Sequence, residues 1–203
     1  DGNYAYFPGT RNLSIMDISA PLNVQIMGSF NSIGWTWSPF ISGNYAYVLG
    51  DSVVFQILNI SDPSNPTLVG AGGTGMYGDE LFVSGDYAYV IDRGGMKIID
   101  CTDLTNPVLV GRYDSRASRP GVAVRGNYAF YTGNPILGLQ VLDVSNPSNP
   151  ILVSSFFSGM SPIKISGDYA YLGKRDNPPY NNSGFLILDI SNPAQPESIG
   201  TYL

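Results

Sequence analysis

Gly126-Asn127-Tyr128-Ala129-Phe130, followed by Leu139-Gln140-Val141-Leu142-Asp143-Val144-Ser145-Asn146-Pro147-Ser148-Asn149-Pro150, is the stretch that decides the fold, because variants of it occur five times. The Gly-Asn/Asp-Tyr-Ala-Tyr/Phe element starts at Gly2, Gly43, Gly85, Gly126 and Gly167, at intervals of 41, 42, 41 and 41 residues. An apolar segment follows each copy and ends at Ser19, Ser61, Thr102, Ser145 or Ser191. A turn-forming segment comes next, from Ala20, Asp62, Asp103, Asn146 and Asn192, with proline in all five copies. The repeats 2–42, 43–84, 85–125, 126–166 and 167–203 take up the whole chain as one repetitive domain.

Each repeat reads as short strands. Tyr45-Ala46-Tyr47-Val48 alternates large and small side chains with period two, as a half-buried strand does. Glycine or proline interrupts every candidate helical window. In the fourth repeat the strands are A (122–125), B (128–131), C (138–144) and D (151–156). Four strands in about 41 residues are the sequence sign of a β-propeller blade. A lone four-stranded sheet cannot bury both faces, and packing blade on blade does so. The composition agrees: 43 % hydrophobic residues supply a core, and only 13 % are charged, against about 25 % on average. The expectation is an all-β propeller with five visible four-stranded blades. Only nineteen strands are countable, since the first repeat begins at strand B. Its innermost strand lies upstream of Asp1, or its sheet has three strands. Five blades in a closed ring and a slice of a six- to eight-bladed propeller both fit the count.

The order G-N/D-Y-A-Y, Gly-rich turn, L-x-V-L-D-V-S-N-P-x-N-P and hydrophobic strand resembles the LVIVD repeat. Residues 143–150 are the closest single match, and the first repeat departs from the pattern with Val24 in place of proline. The resemblance implies a propeller of secreted or surface proteins of bacteria and archaea. It carries no common catalytic residues.

Several chemistries are excluded by composition. With no histidine, Ser-His-Asp and Cys-His nucleophile pairs and HExxH zinc sites cannot form. A single cysteine, Cys101, rules out a disulfide framework within the chain and a Cys-based zinc site. A net charge of −6 argues against binding a phosphate backbone, so no nucleic acid is expected. No apolar run reaches the roughly 18 residues of a membrane-spanning helix. The chain opens at Asp1-Gly2-Asn3-Tyr4, inside a motif, as a processed or truncated start would.

Residues repeated in every unit are expected to serve what every unit shares. Tyr4/Tyr6, Tyr45/Tyr47, Tyr87/Tyr89, Tyr128/Phe130 and Tyr169/Tyr171 read as packing between neighbouring blades. Asp17, Asp100, Asp143 and Asp189, with Asn59 in the second repeat, precede Ser or Thr by two positions and read as turn caps. One carboxylate per blade cannot supply the six to eight oxygens of a calcium site, so no metal and no cofactor is expected. Cys101 occupies a place held elsewhere by Ile18, Ile60, Val144 and Ile190, and reads as a small buried apolar residue.

Function is expected where the repeats differ. The C–D turns are alike, whereas the D–A loops (31–38, 71–79, 114–120, 157–161) and B–C loops (8–12, 49–52, 91–95, 132–138, 173–184) vary. Both loop sets emerge at one rim. That rim collects Trp35, Trp37 and Tyr77, which suit sugar rings or protein hot spots. It also collects Arg93, Arg116 and Arg119, with Arg112 and Arg125 near the ends of flanking strands, which suit carboxylates or sulfated groups. The longest insertion carries Tyr180 between two prolines and two asparagines. These seven residues, Trp35, Trp37, Tyr77, Arg93, Arg116, Arg119 and Tyr180, are the candidate partner site. The acids Asp51, Asp79, Glu80, Asp92, Asp114 and Asp176 form no recognisable catalytic pair. Asn12 and Asn181 are glycan acceptor candidates in expected loops. The reading is a non-catalytic extracellular or cell-surface module for adhesion or assembly, with a protein partner or self-association through the rim. A glycan-binding propeller is the alternative, and a carbohydrate-active enzyme the third reading.

Overall fold

The computed structural model describes residues 2–31, 36–50, 54–73, 78–92, 94–115, 121–134, 138–156, 160–175 and 183–202. Nineteen strands lie among them, in five sheets. The first sheet holds β1 (Tyr4–Pro8), β2 (Asn12–Asp17) and β3 (Gln25–Asn31). The second holds β4 (Thr36–Ser42), β5 (Tyr45–Gly50), β6 (Val54–Asn59) and β7 (Thr67–Gly73). The third holds β8 (Glu80–Ser84), β9 (Tyr87–Asp92), β10 (Gly95–Asp100) and β11 (Val108–Asp114). The fourth holds β12 (Gly121–Arg125), β13 (Tyr128–Asn134), β14 (Gly138–Asp143) and β15 (Ile151–Phe156). The fifth holds β16 (Met160–Ser166), β17 (Tyr169–Arg175), β18 (Ser183–Asp189) and β19 (Glu197–Tyr202). Strands lie side by side in chain order in every sheet. The four strands read in the fourth repeat are β12 to β15, and the first sheet has three strands.

By compactness the chain divides into two units, Asp1–Val90 with Ile99–Leu109, and Ile91–Ile98 with Val110–Leu203. In the first unit, period-two alternation makes each sheet apolar on both faces. Leu13 and Ile15 of the first sheet pack with Ala46, Val48, Leu58 and Ile60 of the second. The opposite face of the second sheet, with Tyr47, Phe55 and Ile57, packs with Leu81, Val83, Ala88 and Val90 of the third. Cys101 belongs to this second cluster, and burial pushes its thiol up to about 11. In the second unit, Phe130, Tyr131, Leu139, Val141 and Leu142 of the fourth sheet are buried, as are Ala170, Leu172 and Leu188 of the fifth.

The two aromatics of a pair are two residues apart and share a face of their strand. Tyr47, Tyr89 and Phe130 are buried, whereas Tyr45, Tyr87 and Tyr128, nearer the turn, are half-buried. In these three pairs the packing role falls mainly on the second aromatic; Tyr4 and Tyr6 are both half-buried, and Tyr169 and Tyr171 are exposed, which departs from the packing expected of all five pairs.

One end of every sheet is a fixed structure. Gly2, Gly43, Gly85, Gly126 and Gly167 have φ between 55° and 59°, a region that only glycine enters without cost. The residue after each glycine offers its carbonyl to the chain leaving strand C: Asn3 to Ile18, Asn44 to Ile60, Asp86 to Cys101, Asn127 to Val144 and Asp168 to Ile190. Asp17, Asn59, Asp100, Asp143 and Asp189 each accept the backbone N–H two residues on, at 2.8–2.9 Å. Asp62, Asp103, Asn146 and Asn192 repeat the device one turn later. The acidic column is a set of turn caps, as the spacing predicts.

A bulge in the outer strand joins one repeat to the next. Register slips by one residue between Ile15 and Met16, Ile57 and Leu58, Val141 and Leu142, and Ile187 and Leu188. The outer-strand residue beside the slip is Gly28, Gly70, Ser154 or Gly200. A Cβ on Gly28 would lie 2.5 Å from the Pro63 carbonyl oxygen, and one on Gly70 2.1 Å from that of Leu104. In the second unit Gly111 meets Pro147 in the same way, and the Ser154 hydroxyl donates to the Pro193 carbonyl at 2.8 Å. The turn of each following repeat is thus seated on the outer strand before it.

Four placements differ from the sequence reading. Trp37 is expected in a loop, but its backbone lies in β4 opposite Leu49, because pairing extends past a bulge between Trp37 and Phe40. Asp92 is expected among the rim acids, but it ends β9 and is buried. Asn12 opens β2, half-buried, with its amide donating to Ser14 at 3.1 Å. Arg125 stands at the turn end of β12, away from the loops, where it pairs with Asp168 and donates to the Ile190 carbonyl at 3.2 Å.

The caps predict an acid limb. The hydroxyl and N–H of the Ser or Thr two residues on hold Asp17, Asp62, Asp100, Asp103 and Asp143 below the ordinary carboxylate range. For Asp189 the Ser191 N–H comes first and the hydroxyl second. The folded value lies below the unfolded one. Their stabilisation is therefore present above the unfolded value of about 4 and lost as pH falls through the folded one. The thermal midpoint should hold level down to about pH 5 and drop below it. Asp143→Asn with Asp189→Asn should flatten that drop at little loss near neutrality, since Asn59 already caps Ser61 as an amide. Melting curves across a pH series check this, and an unchanged acid limb in the variant removes the caps as its cause.

Candidate interaction site

The opposite end of the sheets carries the B–C and D–A connections. Trp35, Tyr77, Arg93, Arg116, Arg119, Tyr180 and Asn181 lie outside the described residues, as does the Trp37 side chain. What the structure brings together is a buried polar network in the second unit, flanking position 93 and segment 116–120 in the chain.

The network starts from strand C. Gln56, Lys97 and Gln140 occupy one register position, in Phe55-Gln56-Ile57, Met96-Lys97-Ile98 and Leu139-Gln140-Val141, and all three are buried. A buried ammonium needs a partner, and Lys97 pairs with Asp92. The other Asp92 oxygen accepts the N–H groups of Gly94 at 2.7 Å and Gly95 at 3.1 Å. Gly95 has φ 138°, and a Cβ there would lie 2.1 Å from the Tyr113 carbonyl oxygen. Only glycine lets the turn approach this closely. The Ser115 N–H then donates to the Gly94 carbonyl at 2.9 Å. The start of the D–A connection is thereby fastened to the B–C connection.

Gln140 completes the arrangement. Its amide donates to the Tyr113 hydroxyl at 2.8 Å, and its carbonyl accepts the Ser115 hydroxyl at 3.0 Å. The Tyr131 hydroxyl donates to the Ser115 carbonyl at 3.3 Å. Burial pushes the Tyr131 phenol up to about 12, opposed by that hydrogen bond and supported by the nearby Asp92 and Tyr113. It is a neutral donor at any physiological pH. Arg112 pairs with Asp114 at 3.0 Å, and both are exposed.

Chemically, this is a foundation. Asp92 and Lys97 neutralise each other, and Gln140 and Ser115 satisfy each other. The residues adjoining Arg93 and Arg116 in the chain, Asp92, Gly94 and Ser115, are held by these hydrogen bonds. Sequence reasoning missed Lys97 and Gln140. The available signal was a long polar side chain at the same place in three apolar C strands. Among the described residues, no three His, Cys, Asp or Glu side chains gather as a metal site.

Comparison with known proteins places the fold. The family model described as the LVIVD repeat matches at residues 1–32, 33–74, 77–115, 119–157 and 160–203, one match for each sheet. The crystal structure of a functionally unknown protein from Desulfotomaculum acetoxidans DSM 771 superposes with a TM-score of 0.80 at 13 % identity, over 98 % of this chain and 66 % of that one. The crystal structure of the computationally designed Ika8 protein superposes with a TM-score of 0.70 at 12 % identity, over 100 % of this chain and 60 % of that one. The chain thus spans less than two thirds of the length of both structures. At such identities the likeness concerns the fold, which is that of a β-propeller. No curated protein matches the sequence. Five matched repeats, one to a sheet, make the chain a member of the LVIVD repeat family.

Proposed function

We propose that this chain is a non-catalytic interaction module of the cell surface or extracellular space, which holds a protein partner through the loops at the B–C and D–A end. The observation that carries this reading is the contrast between the two ends. At the turn end, side chains are consumed by caps, by the Arg125–Asp168 pair and by seating on the neighbouring repeat. At the loop end the repeats diverge, and two of the divergent loops adjoin a buried network that ties the third repeat to the fourth through Tyr113, Ser115, Tyr131 and Gln140 and recurs in no other pair of repeats among the described residues. Arg93, Arg116 and Arg119 stand in the two loops beside the network and Trp35 and Trp37 in the segment 31–38, and Trp and Arg are residue types enriched at binding hot spots.

The test uses beads coated with the chain, with adhesion to a bacterial cell surface measured at two ionic strengths. Trp35→Ala with Trp37→Ala should weaken adhesion about tenfold or more, with little dependence on salt. Arg116→Ala with Arg119→Ala should weaken it and flatten its salt dependence. Melting temperatures should stay unchanged. Full adhesion by both variants removes the loop end from consideration. Retention of a defined sugar on a glycan array, lost in the Trp variant, favours the glycan-binding reading instead. Turnover of that sugar favours an enzyme.

A further inference from the structure

Charge is divided unevenly between the two units. The unit made of Ile91–Ile98 and Val110–Leu203 holds nine of the ten lysines and arginines and seven of the sixteen acids, a net charge of +2. The other unit holds Arg11 against nine acids, a net charge of −8. Within the first-named unit the charges also separate by end of the sheets. Its turn end carries Asp143, Asp168, Asp189 and Glu197, with Arg125 beside them and paired with Asp168. At its loop end the balance is reversed. Asp92 is taken up by Lys97 and Asp114 by Arg112. By chain position, Arg93, Arg116, Arg119, Lys174 and Arg175 then stand at this end against Asp176.

Hydrogen bonds bring two of these segments together. The Ser115 N–H donates to the Gly94 carbonyl at 2.9 Å. Arg93 precedes Gly94 and Arg116 follows Ser115. A trans peptide sets neighbouring Cα atoms about 3.8 Å apart, so connectivity alone keeps the two arginine Cα atoms within about 14 Å. Two long guanidinium side chains can meet one carboxylate across such a span. From the fourth sheet, Gln140 holds Tyr113 and Ser115, so the segment bearing Arg116 and Arg119 leaves from a fixed point. Arg175 closes β17 opposite Ser183, in the sheet whose β16 lies beside β12.

We propose that the loop end of this unit takes an acidic segment of the protein partner, a run of Asp or Glu side chains paired with the arginines at 93, 116, 119 and 175. This rests on the interaction reading above and names the chemistry of its partner. The occupant follows from charge complementarity. Four of the five cations are arginines, whose planar fork takes a carboxylate through two parallel hydrogen bonds, where lysine offers a point charge. The turn ends carry the opposite sign, so an acidic segment is repelled there and drawn here, which fixes its orientation. The described aromatic groups at this end are not set out for a sugar. Tyr131 is buried, and the half-buried Tyr113 has its hydroxyl bonded to Gln140.

Fluorescence anisotropy of labelled oligo-glutamate, titrated with the 203-residue chain at low and physiological salt, tests this. Oligo-glutamate should bind, and its affinity should fall as salt rises. Arg93→Gln with Arg116→Gln and Arg119→Gln should weaken binding about tenfold or more and flatten the salt dependence, at an unchanged melting temperature. Lysine at the same three positions should keep the salt dependence and lose affinity severalfold, since the charge stays and the fork goes. Arg11→Gln, in the other unit, should change nothing. Oligo-glutamate should also release chain-coated beads from the bacterial surface. Adhesion that is lost with Trp35→Ala/Trp37→Ala but untouched by saturating oligo-glutamate would overturn this proposal and leave the interaction module standing. Arginine-dependent binding of oligo-glutamate by a chain that adheres to nothing would support the acid site and sink the adhesion reading. Binding that ignores salt, binding unmoved by the triple glutamine variant, or tighter binding of heparin or polyphosphate of equal charge would overturn the proposal.

Discussion

Lys97→Met should lower the free energy of unfolding by about 3–5 kcal/mol, the cost of leaving one member of a buried ion pair alone. Lys97 and Asp92 are both buried and pair with each other, so neither reaches water when its partner is removed. The Asp92 carboxylate would keep the N–H groups of Gly94 and Gly95, which are too few to replace a full positive charge. Adding Asp92→Asn should recover most of the loss. An amide oxygen still accepts from Gly94, and the uncompensated charge is gone. The exposed pair Arg112–Asp114 is the internal contrast, and Arg112→Ala should cost under about 1 kcal/mol. Urea midpoints for the single and double variants check this. If Lys97→Met costs the same with and without Asp92→Asn, the loss comes from packing of the long side chain. The consequence reaches the loop end, because Asp92 orders the turn that receives Ser115.

How far the sequence announced this molecule depends on which interactions are local. Turn chemistry is local, and it was legible. Asp143 sits two residues before Ser145, and the cap that this spacing predicts is present at 2.8 Å. The period-two pattern fixed the strands of the fourth sheet to within about three residues, in line with the usual uncertainty of strand ends. Interactions between distant residues were not legible. Asp92 reads as a rim acid, and nothing in the segment around Lys97 shows that the two, five apart, come together when β9 and β10 pair. Trp37 and Asn12 read as loop residues because nothing in their own segments shows that pairing continues past a bulge. Arg125 follows an apolar run and gives no hint of which end of the sheet it occupies. The seating of the turns on Gly28, Gly70 and Gly111 was hidden for a similar reason, since a glycine in an outer strand signals a bulge but not what approaches it.

Phe130→Ala and Tyr171→Ala should differ severalfold, although they truncate the same position of the repeat. Phe130 in β13 is wholly buried, and its loss should cost about 3–5 kcal/mol, the transfer of the ring plus the cavity left behind. Tyr171 in β17 already faces solvent in part, so in dilute solution its loss should cost under about 1.5 kcal/mol. The difference measures what full enclosure of the ring contributes at one and the same position of the repeat. Urea denaturation of both variants decides the matter. Equal penalties would mean that the cost follows the residue's place in the repeat and not its burial.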